Sequence, residues 1–308
     1  MKPAAGAGLP GPVPAEALAA LRRAGRIAAE ARRMGAERVR AGVRVRDVCA
    51  DVDGEIERLG GALAVPTQSS RTAIAAHSCP APDDESVYEE GDLAKLDIGV
   101  HVDGWVVDTA VTVNVGARPE NAVLVEAAEA ALGAAIRVAG PGVPIRDLSA
   151  AIEAELRARG LRPMKNLCGH GVGRFTVHCP PPIPNTTEGS EGTLLPGSVV
   201  AIEPFATDGL GLVAEAGPAE VFRLLPGRND ASGLDADVFE AIRSLQGLPF
   251  ARRQLSRFAG VRVEATLATL RARGWLAAYP PLREAAGRPV AQAEHTLWIG
   301  PEGVEVLT

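Results

Sequence analysis

Gly42-Val43-Arg44-Val45-Arg46-Asp47-Val48 returns one hundred positions later as Gly142-Val143-Pro144-Ile145-Arg146-Asp147-Leu148. The likeness runs on. Ala50, Glu55 and Gly60 recur as Ala150, Glu155 and Gly160, and Val52 and Ile56 become Ile152 and Leu156 on the same face of a predicted helix. Further along, Leu96-Asp97 and Asp103-Gly104 are echoed by Ile202-Glu203 and Asp208-Gly209. A period of this length is far longer than that of a solenoid repeat. It predicts two similar α/β halves packed about a pseudo-twofold axis, with a site where they meet.

Inside the first half, Leu96 to Asp108 reads as a tight hairpin. Asp103-Gly104 separates two β-prone runs, and a two-residue loop of this type favours a type I′ turn. With Val102 opposite Trp105, Val100 pairs with Val107 and Gly99 with Asp108, so Asp97 lies diagonally across from Asp108 on one face. Such neighbours are roughly 7 Å apart at Cβ, a spacing that suits carboxylates gripping metal ions roughly 3.5 to 4 Å from one another. The opposite face, with Leu96, Ile98, Val100, Val102, Trp105, Val107, Val111 and Val113, reads as core. Two solvated strand carboxylates are the plain alternative. Asp is depleted in strands, however, and two converging ones in an apolar hairpin repel unless a cation or protons neutralise them.

The chain has 308 residues, enough for one large domain or one domain with an insertion, and its composition excludes fibrous and disordered classes. Its net charge of −6 gives no general attraction to nucleic acid or anionic lipid. Cys49, Cys79, Cys168 and Cys179 lack paired metal-ligand spacing and read as reduced thiols, which fits a cytoplasmic setting. No run approaches the length of a membrane span, and the first residues lack an apolar signal core, so a soluble, unexported protein is expected.

Residues 1–13 read as a flexible tail and 14–308 as one domain. Helices are expected from Pro14 to about Arg40 and from about Asp47 to Leu59. Residues from about 225 to 290 have no echo in the first half. Helical patterns around 235–245, 249–258 and 263–273 mark them as a helical insertion. A strand-like stretch from Gln292 to Ile299 then brings Glu294 and His295 back toward the core.

All five histidines, His77, His101, His170, His178 and His295, fall in informative places. His170 sits in Cys168-Gly169-His170-Gly171-Val172-Gly173, where glycines permit close backbone approach. Glu203 ends a buried-type strand, Val199 to Ile202, and a buried carboxylate needs a neutralising partner. Asp97, Asp108, Glu203 and Glu294 with His170 form an oxygen-rich set, better suited to Mn, Fe, Co or Zn as a catalytic ion than the thiolate sets of structural zinc.

The chain from about residue 14 resembles the type II methionine aminopeptidases, in their shorter archaeal-style form. The resemblance rests on Ala75-Ala76-His77, Lys95 to His101, Asp108 to Val113, Gly169-His170, Ala201 to Phe205 and Gln292 to Thr296, in order. It implies the pita-bread fold, an α/β (mixed α+β) architecture of duplicated halves with a winged-helix-like insertion. By the resemblance, Asp108 and Glu294 bridge two divalent metals, Asp97 completes one, and His170 with Glu203 the other. A water between the metals would attack the peptide bond, with Glu203 as proton shuttle. His77 and His178 would face the substrate and hydrogen-bond the scissile group. His101 and His295 read equally well as core histidines or as supports behind the ligands. The implied activity is removal of the initiator methionine from nascent proteins when the second residue is small. Ribosome association is compatible with that role but has no sequence signature, and a monomer is expected.

The chain departs from the family pattern at Val65-Pro66-Thr67-Gln68, where relatives have Phe-Pro before a small residue or Asn. It departs again at Ser78-Cys79-Pro80, where they have Tyr-Thr-Pro. These departures predict a smaller and more polar lining that widens or rewires the methionine pocket. The rivals are an Xaa-Pro-directed relative and a non-enzymatic homologue. The 91 positions between Glu203 and Glu294 (294 − 203) disfavour the first, and retention of the full ligand set disfavours the second.

Overall fold

The repeat is one of backbone as well as of sequence. The computed structural model describes residues 13–308, so the flexible-tail expectation for 1–13 lies outside the described residues except at Val13. The Val13 N–H donates to Gly197 O at 2.8 Å. Helices α1 (Ala15–Arg38) and α2 (Val45–Arg58) belong to the first half, α3 (Pro119–Val138) and α4 (Ile145–Ala158) to the second. α2 and α4 are each 14 residues long. Each buries the equivalent face, Val45, Val48, Cys49, Val52 and Ile56 against Ile145, Leu148, Ser149, Ile152 and Leu156. That is the apolar stripe a 3.6-residue period lays along one side of a helix. Even the entries match: Gly42 N–H donates to Tyr88 O at 2.8 Å, and Gly142 N–H to Leu194 O at 2.7 Å.

Each helix pair covers β-structure. α1 packs over the hairpin of Leu93–Val102 and Trp105–Asn114, whose first strand also pairs with Ala62–Arg71. The hairpin register follows from its turn. Asp103 and Gly104 have φ of 53° and 85°, as a type I′ turn requires. Val102 therefore faces Trp105, and Gly99 faces Asp108. Leu96, Ile98, Val100 and Val107 are fully buried under α1 and α2.

In the second half, a five-stranded antiparallel sheet runs in the order Val304–Val306, His295–Ile299, Val199–Ile202, Cys168–Gly173, Thr176–Pro184. α3 lies against the Val290–Gln292 and Phe205–Thr207 strands. Two apolar clusters follow the halves in the main, but the first also takes Val172, Val177, Val199 and Ala201 from the second-half sheet and the second takes Leu93 from the hairpin, so the halves pack into one another.

A third apolar cluster belongs to a lobe between Val221 and Tyr279. It holds α5 (Ala236–Ser244), α6 (Gly260–Ala272) and an antiparallel sheet of Phe250–Ala251, Val221–Leu224 and Leu276–Tyr279. Asp235 caps α5 by accepting from Val238 N at 3.1 Å. The helix expected over 249–258 does not form. Phe250-Ala251 is extended against Val221-Phe222, which buries the Phe250 ring beside Phe222, and only a single 3-10 turn, Arg252–Leu255, follows.

Candidate metal centre and substrate pocket

Asp97 faces Ala110 and Asp108 faces Gly99, so the hairpin sets the two carboxylates diagonally on one surface. The Cys168–Gly173 strand brings His170 opposite Ala201. Glycine is obligatory beside it, because a Cβ on Gly169 would lie 2.4 Å from Ala201 O in the next strand. Glu203 follows directly after the Val199–Ile202 strand. Glu294 arrives differently from the expectation of one strand over Gln292–Ile299. The stretch is split into Val290–Gln292 and His295–Ile299, because Glu294 pairs instead with Ala110 of the hairpin, donating from its N–H to Ala110 O at 3.1 Å.

Asp108, His170 and Glu294 are buried, with one potential ligand atom from each lying within 4.8 Å of the others. His170 Nε2 stands 4.0 Å from Asp108 Oδ2 and 3.9 Å from Glu203 Oε1. These separations are too long for hydrogen bonds. They suit donors that share a cation at roughly 2.0–2.2 Å from each. Glu294 Oε1 is buried with no hydrogen-bond partner.

Burial drives the proton affinities. It raises Asp97 to about 6, against a hydrogen bond from Gln292 that pulls the other way. Burial, followed by the neighbouring carboxylates, holds Asp108, Glu203 and Glu294 well above the usual range, while Arg32 opposes this at Glu294. Burial also lowers His170 to about 4, which leaves the imidazole neutral, as a ligand must be. Four carboxylates that repel and one neutral imidazole fit a divalent cation, whose charge would replace the protons.

His77 and His178 flank this cluster. The His178 ring lies 4.2 Å from that of His170, edge-on; the residue is exposed, and desolvation at the site with the two neighbouring histidines lowers its pKa. Burial lowers His77 to about 4. His77 has a φ of 63°, a backbone state that is uncommon outside glycine, and its ring meets Tyr279 of the lobe edge-on at 5.8 Å. His101 lies elsewhere, accepting from Gly104 N at 3.2 Å at the hairpin turn. His295 stands behind Glu294, with Nδ1 3.1 Å from Arg32 Nη1 and 3.0 Å from Thr308 Oγ1. Arg32 also donates to Thr109 Oγ1, and Thr109 Oγ1 donates to Glu294 O at 2.9 Å.

Comparison with known proteins agrees with this chemistry. The model of metallopeptidase family M24 matches residues 19–269. The chain belongs to that family. Among M24 relatives, it is 41% identical over 293 residues to the methionine aminopeptidase of Thermococcus kodakarensis, covering 94% of this chain and 98% of that one. It is 38% identical over 286 residues to that of Archaeoglobus fulgidus, covering 92% and 96%. The solved methionine aminopeptidase of Thermotoga maritima superposes with a TM-score of 0.70 at 24% identity, covering 96% of this chain and 97% of that one. These likenesses place the chain with the type II, archaeal-style branch of M24, give it the pita-bread fold, and make it a metal-dependent peptidase.

The M24 site opens into a cavity of about 90 Å³. His77, His178, Glu203 and Glu294 reach it together with Asp97, Asp108 and His170. Val65 and Gln68 line it, as do Cys168 and Cys179; Ser78 and Cys79, whose substitution predicted a polar lining, do not. Cys79 is buried against Arg253 of the lobe. Three residues have roles the sequence reading did not assign. Gln292 donates to Glu203 Oε2 at 3.3 Å, Arg32 faces Glu294, and Thr296 Oγ1 accepts from Asp108 N at 2.7 Å. Gln292 and Thr296 lie in the Gln292–Thr296 stretch that carries the family resemblance, whereas nothing in the sequence sets Arg32 apart from the many other arginines.

Proposed function

We infer that the site removes the initiator methionine from nascent proteins when the second residue is small. The observation that carries this reading is the set of four carboxylates, two buried and two half-buried, and one buried neutral imidazole, with two further histidines beside them, at one cavity of about 90 Å³. The set is large enough for two divalent ions. In this reading Asp97, Asp108, His170, Glu203 and Glu294 would hold them, Asp108 and Glu294 being shared between the two. Co, Mn, Fe and Zn all suit such donors. Bound there, the ions supply Lewis acidity that lowers the pKa of a water and polarises the scissile carbonyl.

The rest belongs to the chain. Glu203, half-buried and with a raised proton affinity, is suited to take a proton from the attacking water and return it to the leaving amine. His77 and His178 stay neutral at working pH and offer ring N–H groups to the scissile peptide and its developing oxyanion. Gln292 orients Glu203. The walls of the cavity limit the size of the accepted residues.

We take the helical segment at about 225–290 as an insertion into a catalytic domain spanning 14–308, contributing Tyr279 beside His77. Among the described residues no helix is long and apolar enough to cross a membrane. The proposed setting is the cytoplasm, with nascent chains as substrates, work near the ribosome, and a monomeric state.

The test is release of methionine from Met-Ala-Ser by metal-depleted protein given Mn, Co, Fe or Zn in turn, with Glu203→Gln as control. Metal-restored release, abolished by the substitution, supports the reading. Metal binding without release, or cleavage of Xaa-Pro peptides instead, overturns it.

A further inference from the structure

Arg223 belongs to the lobe strand Val221–Leu224, on the face turned toward the catalytic body. Side chains alternate along a strand. Phe222 and Leu224 enter the lobe's own apolar cluster, whereas Val221 joins Cys79, Ala251 and Tyr279 where lobe and body meet. Ala277, directly opposite Arg223 in the sheet, packs on that second cluster too. Arg223 therefore looks at the site from the lobe side.

One atom of it is anchored. The Nε–H donates to the Tyr279 hydroxyl oxygen at 3.0 Å, and the Tyr279 ring meets that of His77 edge-on at 5.8 Å. The charge of Arg223 is also felt at His178, where desolvation is the main cause of a lowered pKa and repulsion from the neighbouring histidines and from Arg223 adds to it. The guanidinium thus stands beside the two histidines that line the cavity.

The rest of the guanidinium is unspent. The next arginines of the lobe are paired, Arg252 with Glu220 and Glu264, and Arg253 with Asp53. Among the described residues no carboxylate pairs with half-buried Arg223, and neither of its Nη groups makes a hydrogen bond or is sealed from solvent. His178 is exposed and yet lines the cavity, so the cavity opens at His178, on the side where Arg223 stands. A peptide whose first residue fills the cavity leaves through that opening. An extended chain advances roughly 3.3–3.6 Å per residue, which carries the third residue of the substrate roughly 7 Å past the scissile bond and out toward the lobe. An open, planar guanidinium is matched by a carboxylate, which takes two parallel N–H···O bonds. Backbone carbonyls take single N–H groups and carry no preference among side chains.

Resting on the methionine-releasing reading of the site, we propose that Arg223 forms a downstream subsite for the carboxylate of an Asp or Glu side chain at the third residue of the substrate, and is the specificity-determining residue there. The same chemistry is offered by the free C-terminus of a tripeptide, so the two sources are kept apart in the test.

The experiment measures kcat and KM of the metal-loaded protein for Met-Ala-Asp-amide, Met-Ala-Asn-amide and Met-Ala-Lys-amide, and for Met-Ala-Ser as free acid and as amide. With the C-terminus blocked, the Asp peptide should exceed the Asn peptide in kcat/KM by about threefold to tenfold, chiefly through KM, and the Lys peptide should be the poorest. The excess should shrink as salt is raised. Arg223→Met should level the Asp and Asn peptides, Arg223→Lys should keep part of the difference, and Arg223→Glu should reverse the order of the Asp and Lys peptides. A reversal is seen only in folded, active protein, so damage to the lobe cannot imitate it. Equal use of the Asp and Asn peptides, a preference that survives Arg223→Met, a gain confined to the free C-terminus of Met-Ala-Ser, or an unreversed order in Arg223→Glu overturns the proposal. Each of those results, with methionine still released, leaves the parent reading standing; no release from any peptide overturns both.

Discussion

Arg253→Met tests whether the lobe holds the pocket wall. Arg253 leaves the 3-10 turn of the lobe to pair with Asp53 of α2, and the two side chains are only 10% and 14% exposed. The same guanidinium donates to Thr67 O, one residue before Gln68, and to Cys79 Sγ. Methionine fills similar volume but leaves Asp53 buried without its cation, which costs about 3–5 kcal/mol. With an unfolding entropy of roughly 2.1 cal/mol/K per residue, a cooperative 308-residue chain loses about 0.65 kcal/mol per degree. The melting temperature should therefore fall by roughly 5–8 °C. Asp53→Asn combined with Arg253→Met replaces the ion pair by a neutral contact and should recover much of that loss. Thermal melts of the parent, both single variants and the double variant measure the coupling. KM for Met-Ala-Ser should rise more than kcat falls, since the wall moves and the ligands do not. A single variant that melts within about a degree of the parent, or a double variant whose loss equals the sum of the singles, refutes the reasoning.

Metal removal should matter more at high pH. Asp97, Asp108, Glu203 and Glu294 hold protons more tightly folded than unfolded, so in metal-free protein their stabilisation is complete below about pH 4. It is lost as pH rises through about 6 for Asp97 and higher for the others. His77 and His170, near 4 when folded against 6.5 unfolded, act on the acid flank: their contribution is present above pH 6.5 and lost as pH falls toward 4. The melting-temperature gap between metal-loaded and metal-free protein should widen from pH 5 to pH 8, and a narrowing gap would contradict the arrangement. Gly169→Ala forces a Cβ to within 2.4 Å of Ala201 O, so it should cost about 1–3 kcal/mol and weaken metal binding about tenfold or more by displacing His170, as read by calorimetric titration. His178→Ala should lower kcat/KM for Met-Ala-Ser about a hundredfold or more while the metal content per chain is kept; loss of the metal would instead make His178 a ligand.

Local rules carried the hairpin and the repeat. Asp103-Gly104 admits one tight register, and that register alone decides which face Asp97 and Asp108 share. Gly42 and Gly142 mark equivalent helix entries one hundred residues apart, so the duplication is visible before any coordinates. Long-range competition hid the rest. Phe250 reads as helical in its own window but is drawn into a sheet by Val221-Phe222, distant in the chain. Glu294 leaves its strand because Ala110 offers a better-placed partner. Ser78 and Cys79 lie next to His77 in sequence but outside the cavity lining, because the chain at His77 has a positive φ and Cys79 turns toward Arg253.

The pairing of Asp108 with Thr296 spans 188 residues. At about 5–20 residues per second, a ribosome needs about 10–40 s to close that gap. For the first part of this interval, until His170 and Glu203 emerge 62 and 95 residues after Asp108 (170 − 108 and 203 − 108), the hairpin carboxylates stand without them, and through all of it without Glu294. Two carboxylates alone hold a divalent cation weakly. The order of synthesis therefore keeps the site from sealing around the first ion it meets, and metal choice falls to the finished chain, once residues 294–296 dock and every donor is present.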